Sequence, residues 1–272
     1  MNYRHSFHAG NFADLVKHAL VLWLLKTRQA AGPVLVLDTH AGAGLYDLTG
    51  DATRSREAEA GVERLMAAAD RPALIEALAA EVTALNPQGG VRFYPGSPVL
   101  VARNLIPADA YVGFELREEM AGLLRESLAG FPAARGEIGD GYDLVLAEAR
   151  QARGALVLID PPFERPDDYL RAADTAAAIV KADPTAVVAI WTPLKDLETF
   201  DGFLRRLASG TGAPTLVAEA RLRPLTNPMK MNGCAMVVVN PPEGADEAAA
   251  EICGWVAGNL GDTGARAEVW RV

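Results

Sequence analysis

Cysteine is nearly absent. Cys234 and Cys253 are the only two in 272 residues, too few for a disulfide framework or a cysteine-based zinc site. Aromatic residues make up only 7% while alanine abounds, which favours helices packed closely on a sheet over an aromatic-rich β-sandwich. No apolar run approaches the roughly 20 residues that a membrane-spanning helix requires; the longest early one covers residues 19–25. The first 12 residues lack the apolar centre of a secretory signal. A soluble cytoplasmic protein, with no membrane contact and no metal, is expected. A basic surplus is missing too: the net charge of −9 argues against coating nucleic acid by bulk electrostatics.

What is present is an ordinary globular composition, half apolar and 22% charged. Its length suits one large domain or two small ones. The charge is uneven. Within residues 1–30, Arg4, Lys17, Lys26 and Arg28 face only Asp14, and Arg221, Arg223 and Lys230 have no acid among residues 221–230. All four histidines, His5, His8, His18 and His40, fall in the first 40 residues. Two positive patches on an acidic body suit a local polyanion site.

Residues 11–26 read as a helix, with Asn11 as N-cap, Asp14 in the first turn, and Leu15, Ala19, Leu22 and Lys26 at helical spacing. An apolar strand at 34–37 ends at Asp38 and runs into Thr39-His40-Ala41-Gly42-Ala43-Gly44. Residues 47–90 then show helical periodicity at 57–69 and 72–85, no strand signal, and a breaker cluster at 86–90. Ser97-Pro98 reads as an N-cap followed by proline at the first helical position, opening a helix over 99–105. A strand at 111–114 ends at Glu115, a helix covers 118–128, and a strand at 156–159 meets Asp160-Pro161-Pro162-Phe163. Helices at 169–180 and 195–207 alternate with a strand at 186–191. Strands at 216–220 and 235–239 and a closing helix at 248–258 complete the chain. This alternation predicts an α/β fold with a mostly parallel sheet covered on both faces. Ligands bind such sheets beyond the carboxyl ends of the strands, where Asp38, Glu115 and Asp160 all fall.

Four constellations carry chemistry. Gly42-Ala43-Gly44, straight after a strand, lets backbone approach a ligand closely; alone, such a pair is shared by nucleotide binders and ordinary turns. Glu115 at a later strand end suits ribose hydroxyls, though it stands much farther from the glycines than the usual 20 or so residues. The helical stretch after Asp47 accounts for that gap if it is an insertion. Asp140-Gly141, after a possible strand at 135–138, suits an adenine ring, with Asp140 accepting from the amine and Gly141 allowing close approach. Asp160-Pro161-Pro162-Phe163 decides the reading. Its prolines fix φ and remove two backbone donors, so Asp160 and the Pro161 carbonyl can accept both hydrogens of an exocyclic amine while Phe163 stacks on its ring. Asn240-Pro241-Pro242-Glu243 begins alike but lacks the aromatic, and reads as a strand exit.

These features together resemble a class I S-adenosylmethionine-dependent methyltransferase acting on an exocyclic amine. Tyr3-Arg4-His5-Ser6-Phe7-His8-Ala9-Gly10-Asn11, with Ala13-Asp14 and Lys17-His18, is similar to the start of the RlmJ family. Leu37 to Gly44, Tyr94-Pro95-Gly96-Ser97-Pro98 and Ile159 to Phe163 match it in order, and residues 237–242 look similar. The resemblance implies methylation of N6 of one specific adenine in 23S rRNA. It implies a Rossmann-like fold with a mostly parallel seven-stranded sheet: a single methyltransferase domain over 1–272, a helical subdomain inserted at 47–92, and an N-terminal motif and helix over 1–30. Asp160 would be catalytic, with Pro161 and Phe163. Lys17, His18, His40, Gly42, Ser97, Glu115, Asp140, Gly141 and Asp160 would hold S-adenosylmethionine and its product S-adenosylhomocysteine. Tyr3, Arg4 and His5 would meet the RNA. A monomer is expected. Where tyrosine is common in the family, Phe163 keeps stacking and loses a hydroxyl contact.

The same chemistry on DNA adenine, on guanine N2 or on a protein glutamine uses a related motif, and residues 3–18 favour the ribosomal substrate. A nicotinamide-dependent oxidoreductase would share the glycine loop and the acid, but gives no reason for Asp160 to Phe163; Asp47 stands where its third glycine belongs. A non-catalytic RNA-binding module would not need the aspartate and aromatic.

Overall fold

The computed structural model describes residues 8–49, 56–226 and 231–272. Tyr3, Arg4, His5 and Lys230 lie outside these. The central strand is β1 (Leu35–Asp38), which pairs in parallel with β4 (Ala110–Glu115) on one side and β6 (Leu156–Ile159) on the other. β5 (Ala134–Ile138) and β7 (Val187–Pro193) extend the parallel set. Beyond β7, β9 (Gly233–Val239), β8 (Thr215–Arg221) and β10 (Arg266–Arg271) follow, each antiparallel to its neighbour. The order is β10-β8-β9-β7-β6-β1-β4-β5, eight strands where seven are expected. The extra strand is β10. Its alternation of Arg266, Glu268 and Arg271 with half-buried Ala267 and Val269 suits a sheet edge and leaves little apolar signal. The chain therefore does not close on its last helix.

Alternate residues of each strand point to opposite faces. Val36, Met236 and Val238 join one apolar layer, beneath α1 (Phe12–Gln29), α4 (Ser97–Asn104), α5 (Glu118–Leu128) and α9 (Ala245–Leu260). Leu37, Val237 and Val239 join the other, beneath α6 (Gly141–Ala149), α7 (Asp168–Ala182) and α8 (Leu197–Thr211). The sheet is thus buried on both sides. The turn expected at Asp140-Gly141 opens α6, a helix that sequence periodicity does not announce. Between β1 and α4, β2 (Leu45–Asp47) pairs antiparallel with β3 (Phe93–Pro95). A π-helical turn (Glu59–Glu63), α2 (Arg64–Ala67) and α3 (Ala73–Leu85) lie between them. That stretch therefore stands on a small ribbon that three-residue strands were too short to betray.

α1 is capped as expected: the Asn11 side chain accepts from the Ala13 and Asp14 N–H groups at 2.9 and 3.0 Å. Its far end is fixed by buried Asp109, which accepts from the Val34 and Ile106 N–H groups and from Gln29 Nε2, each at 2.8 Å. This one carboxylate sets the end of α1 against the entrance of β1. Asp109→Ala leaves the buried Val34 N–H unpaired and is expected to lower unfolding free energy by about 1–3 kcal/mol. Urea unfolding measures this, and an unchanged midpoint would remove Asp109 from that role.

Candidate active site

The loop after β1 is stitched to both neighbouring strands: Thr39 N–H donates to the Leu158 carbonyl and Ala41 N–H to that of Phe114, both at 3.0 Å. Gly42 then adopts φ +67, and its N–H donates to Glu115 Oε1 at 2.9 Å. A Cβ there would lie 2.3 Å from the Tyr46 hydroxyl, so the tight approach requires glycine. Across the sheet top, Asp140 caps α6 by accepting from Tyr142 N–H at 3.1 Å. A Cβ on Gly141 would stand 1.9 Å from the Thr39 carbonyl. These loops, the inner face of α1 and the end of β7 enclose a cavity of about 1050 Å³.

Lys17 forms the floor of the site. Its Nζ lies 2.6 Å from Asp160 Oδ2 and 2.8 Å from Asp14 Oδ1, with the lysine and Asp14 side chains each 5% exposed and Asp160 14%. Burial opposes the charge, but Asp14 and Asp160 outweigh it and hold the amine well above its ordinary pKa. Lys17 is thus an ammonium at neutral pH. Asp14 is braced in turn by the Gly10 N–H, which donates to its Oδ2 at 3.0 Å.

Asp38 is fully buried and holds the scaffold together. Ser97 Oγ and the Tyr111 hydroxyl donate to its Oδ2 at 2.6 and 3.1 Å, and His40 N–H to Oδ1 at 3.2 Å. Burial pushes its carboxyl up to about 6. Burial likewise pushes the His40 imidazole down to about 4, with its ring edge-on to Tyr142 at 4.8 Å. Arg171, reaching over from α7, donates to Asp140 Oδ2 at 2.9 Å and lies 4.3 Å from the Tyr142 ring centre.

Lys17, His18, His40, Gly42, Ser97, Glu115, Asp140, Gly141, Asp160 and Pro161 all line this cavity. Phe163 does not. Its φ of +50 goes with an inward ring, 5% exposed and packed on Tyr169 and Trp191 at 4.5 and 5.9 Å; Trp191 itself lines the cavity, as do Tyr142, Phe114, Tyr46 and Phe12. Ser97 differs in detail: Gly96 is the N-cap, and Ser97 is the first helical residue with its hydroxyl committed to Asp38. Lys17 lines the cavity with its ammonium engaged by two protein carboxylates. His18 is tied to the ribbon, its Nδ1 2.8 Å from the Tyr94 hydroxyl. Asn240 exits β9 at φ +53, its amide donating to the Pro184 and Ala186 carbonyls, as a plain strand exit does. Sequence reasoning missed Asp14 as a site residue, although its three-residue spacing from Lys17 on a helix was a usable signal. Nothing in the sequence pointed to Arg171 or Trp191.

A central parallel sheet with a glycine loop after its middle strand, an acid ending one neighbour and Asp-Pro-Pro following the other defines the class I methyltransferase fold. The family model described as Ribosomal RNA large subunit methyltransferase D, RlmJ, matches residues 31–272. The chain belongs to this family. Ribosomal RNA large subunit methyltransferase J of Escherichia coli (strain K12) is 32% identical over 96% of this chain and 94% of its own. The protein of the same name from Haemophilus influenzae is 31% identical over 89% and 88%. The crystal structure of protein LPL1258 from Legionella pneumophila shares the fold, with a TM-score of 0.84 over 97% of this chain and 98% of that one at 23% identity. Among the described residues no helix is long and apolar enough to cross a membrane, and no group of three or more His, Cys, Asp or Glu could hold a metal ion.

His40 makes stability depend on pH. Because its folded pKa is about 4 against 6.5 unfolded, its contribution is full above 6.5 and is lost as pH falls towards 4. Asp38, raised from 3.8 to about 6, acts with the opposite sign over nearly the same range. His40→Asn should therefore lose less melting temperature than the parent between pH 6.5 and 4; parallel curves would show that His40 is not held neutral.

Proposed function

We propose that this protein transfers a methyl group from S-adenosylmethionine to the exocyclic N6 of one adenine in 23S ribosomal RNA. The observation that carries the reading is the convergence of Asp160 with the loops following β1 and β4 and the start of α6 on one cavity, in a chain of the RlmJ family. The residues present fit the cofactor. Glu115 offers a carboxylate to ribose hydroxyls, Gly42 and Gly141 remove side chains where backbone must come close, and Asp140 can accept from an adenine amine. His40 and His18 complete the walls around it, and Ser97 keeps Asp38 and the loop in place.

S-adenosylmethionine, when bound, supplies a methyl group activated by its sulfonium. The chain's own groups do the rest. Lys17 holds Asp160 Oδ2, which leaves Oδ1 and the Pro161 carbonyl to accept the two N–H bonds of the target amine. Both bonds draw electron density onto nitrogen and fix its lone pair in one direction. An amine conjugated to a purine is a poor nucleophile, so orientation supplies much of the rate. Lys17, kept protonated by its two partners, orients the carboxylate and has no lone pair with which to act as base. Trp191, backed by Phe163, gives the cavity an aromatic face; base stacking of this kind contributes about 1–3 kcal/mol. Tyr3, Arg4 and His5 are assigned to the RNA side. An adenine inside a helix has to be extruded to reach the cavity. A ribosomal substrate places the reaction in the cytoplasm.

Labelled methyl transfer to unmodified 23S rRNA, followed by digestion to nucleosides, tests the reading. N6-methyladenosine at one position is expected, with DNA and protein left unlabelled; labelling of either in preference to rRNA would redirect the substrate. Asp160→Ala should abolish transfer while cofactor affinity stays close to that of the parent, and near-normal turnover would remove Asp160 from the mechanism. Glu115→Ala should weaken S-adenosylmethionine binding by about 1–3 kcal/mol, and calorimetry showing unchanged affinity would reject the ribose role.

A further inference from the structure

The helical stretch between β2 and β3 lines the cavity with Glu57, Ala60 and Arg64, and it also reaches the catalytic machinery through the chain just before α1. Its π-helical turn crosses the chain just before α1 at a pair of glycines. Val62 N–H donates to the Gly10 carbonyl at 2.8 Å. A Cβ on Gly61 would stand 2.2 Å from that carbonyl oxygen, and a Cβ on Gly10, where φ is +78, would stand 2.8 Å from Val62 Cγ1. Neither backbone can retreat cheaply, because Gly10, Asn11, Gly61 and Val62 are all buried. A π-helical turn is a local widening of a helix that recurs at functional sites, and here it sits at the crossing. One turn earlier, Glu57 clasps the same segment. Its Oε2 accepts from Asn11 Nδ2 at 3.0 Å, and its Oε1 lies 2.9 Å from His8 Nδ1.

From this crossing the contacts run without a gap to the reacting carboxylate. Gly10 N–H donates to Asp14 Oδ2 at 3.0 Å, Asp14 Oδ1 lies 2.8 Å from Lys17 Nζ, and Lys17 Nζ lies 2.6 Å from Asp160 Oδ2. The same segment also carries Asn11, whose side chain caps the helix that bears Asp14 and Lys17. A displacement of residues 10 and 11 therefore moves both the cap and the brace of Asp14. We propose that the helical stretch is a brace for the active site, with Glu57 and Gly61 acting as positioning residues for Asp160 through Gly10, Asp14 and Lys17. This inference rests on the assignment of Asp160 to the transfer step. It gives the stretch a role in setting the rate, apart from any role in holding RNA.

The test uses the full chain and three variants, with single-turnover methyl transfer to 23S rRNA, calorimetric binding of S-adenosylhomocysteine, and hydrogen exchange of residues 10–18 in the protein alone. Gly61→Ala should slow transfer by about 10–100-fold, the scale set by small misplacement of a reacting group. Affinity for S-adenosylhomocysteine should fall by less than the rate does, because Gly42, Glu115 and Asp140 stand on other elements and only Lys17 and His18 of its assigned residues lie on the loosened segment, and the KM for RNA should stay within about twofold. Glu57→Ala should slow transfer likewise. Glu57→Gln, which keeps an amide oxygen for Asn11, should recover most of the rate. Exchange across residues 10–18 should rise in Gly61→Ala and Glu57→Ala. A full rate in Glu57→Ala, or a loss seen only in the KM for RNA, would overturn the proposal and make the stretch an RNA-holding element. Failure of the parent protein to methylate RNA would count against the substrate assignment. Unchanged exchange in both variants would count against the brace itself.

Discussion

A lysine ammonium buried between two carboxylates is the interaction on which this site turns. Lys17 is carried by α1, Asp14 stands one turn before it, and Asp160 arrives from the end of β6, 143 residues later. Removing a charge from water is expensive unless its partners satisfy it, and a buried pair broken on one side is costlier than either kept or replaced whole. The triad therefore fixes where α1 lies over the sheet, and with it the floor of the cavity. It also explains why α1 has to be so well anchored. Asn11 caps one end, Asp109 ties down the other, and apolar residues on most of its faces are buried.

The sheet-top loops solve a different problem, which is bringing backbone close enough to serve as a wall. Gly42 and Gly141 stand where a methyl group would collide with a hydroxyl or a carbonyl. Asp38, although it ends the central strand, contributes from below as a buried hub for Ser97, Tyr111 and His40. Of the three carboxylates that end adjacent strands, two face the cavity and one holds the frame. Burial separates them: Asp38 is wholly enclosed, while Glu115 and Asp160 keep an exposed side.

Much of this was legible in the sequence because the signals were local. Continuous apolar strands, Asn11 as a cap and Asp160-Pro161-Pro162 at a strand end are written within a few residues of one another. The rest depends on contacts between distant segments. β10 is a half-polar edge, β2 and β3 are three residues each, and α6 has little amphipathic contrast, so none stands out from its surroundings. Phe163 lies off the cavity wall because its position depends on a left-handed backbone after two prolines, which the residue type does not disclose. Arg171 matters only through Asp140, a partner that folding brings to it from another helix.

The position of β1 in the sheet has a consequence for synthesis. Among the described residues it is the first strand in chain order, yet its two neighbours begin at Ala110 and Leu156. At a translation rate of about 5–20 residues per second, β1 and the apolar faces of α1 wait roughly 4–15 s for a first strand partner and longer for the second. During that interval α1 has only the helical stretch and α4 to pack against, and β1 keeps both edges open. That unpaired interval falls on the ribosome, the source of the RNA the chain is proposed to modify.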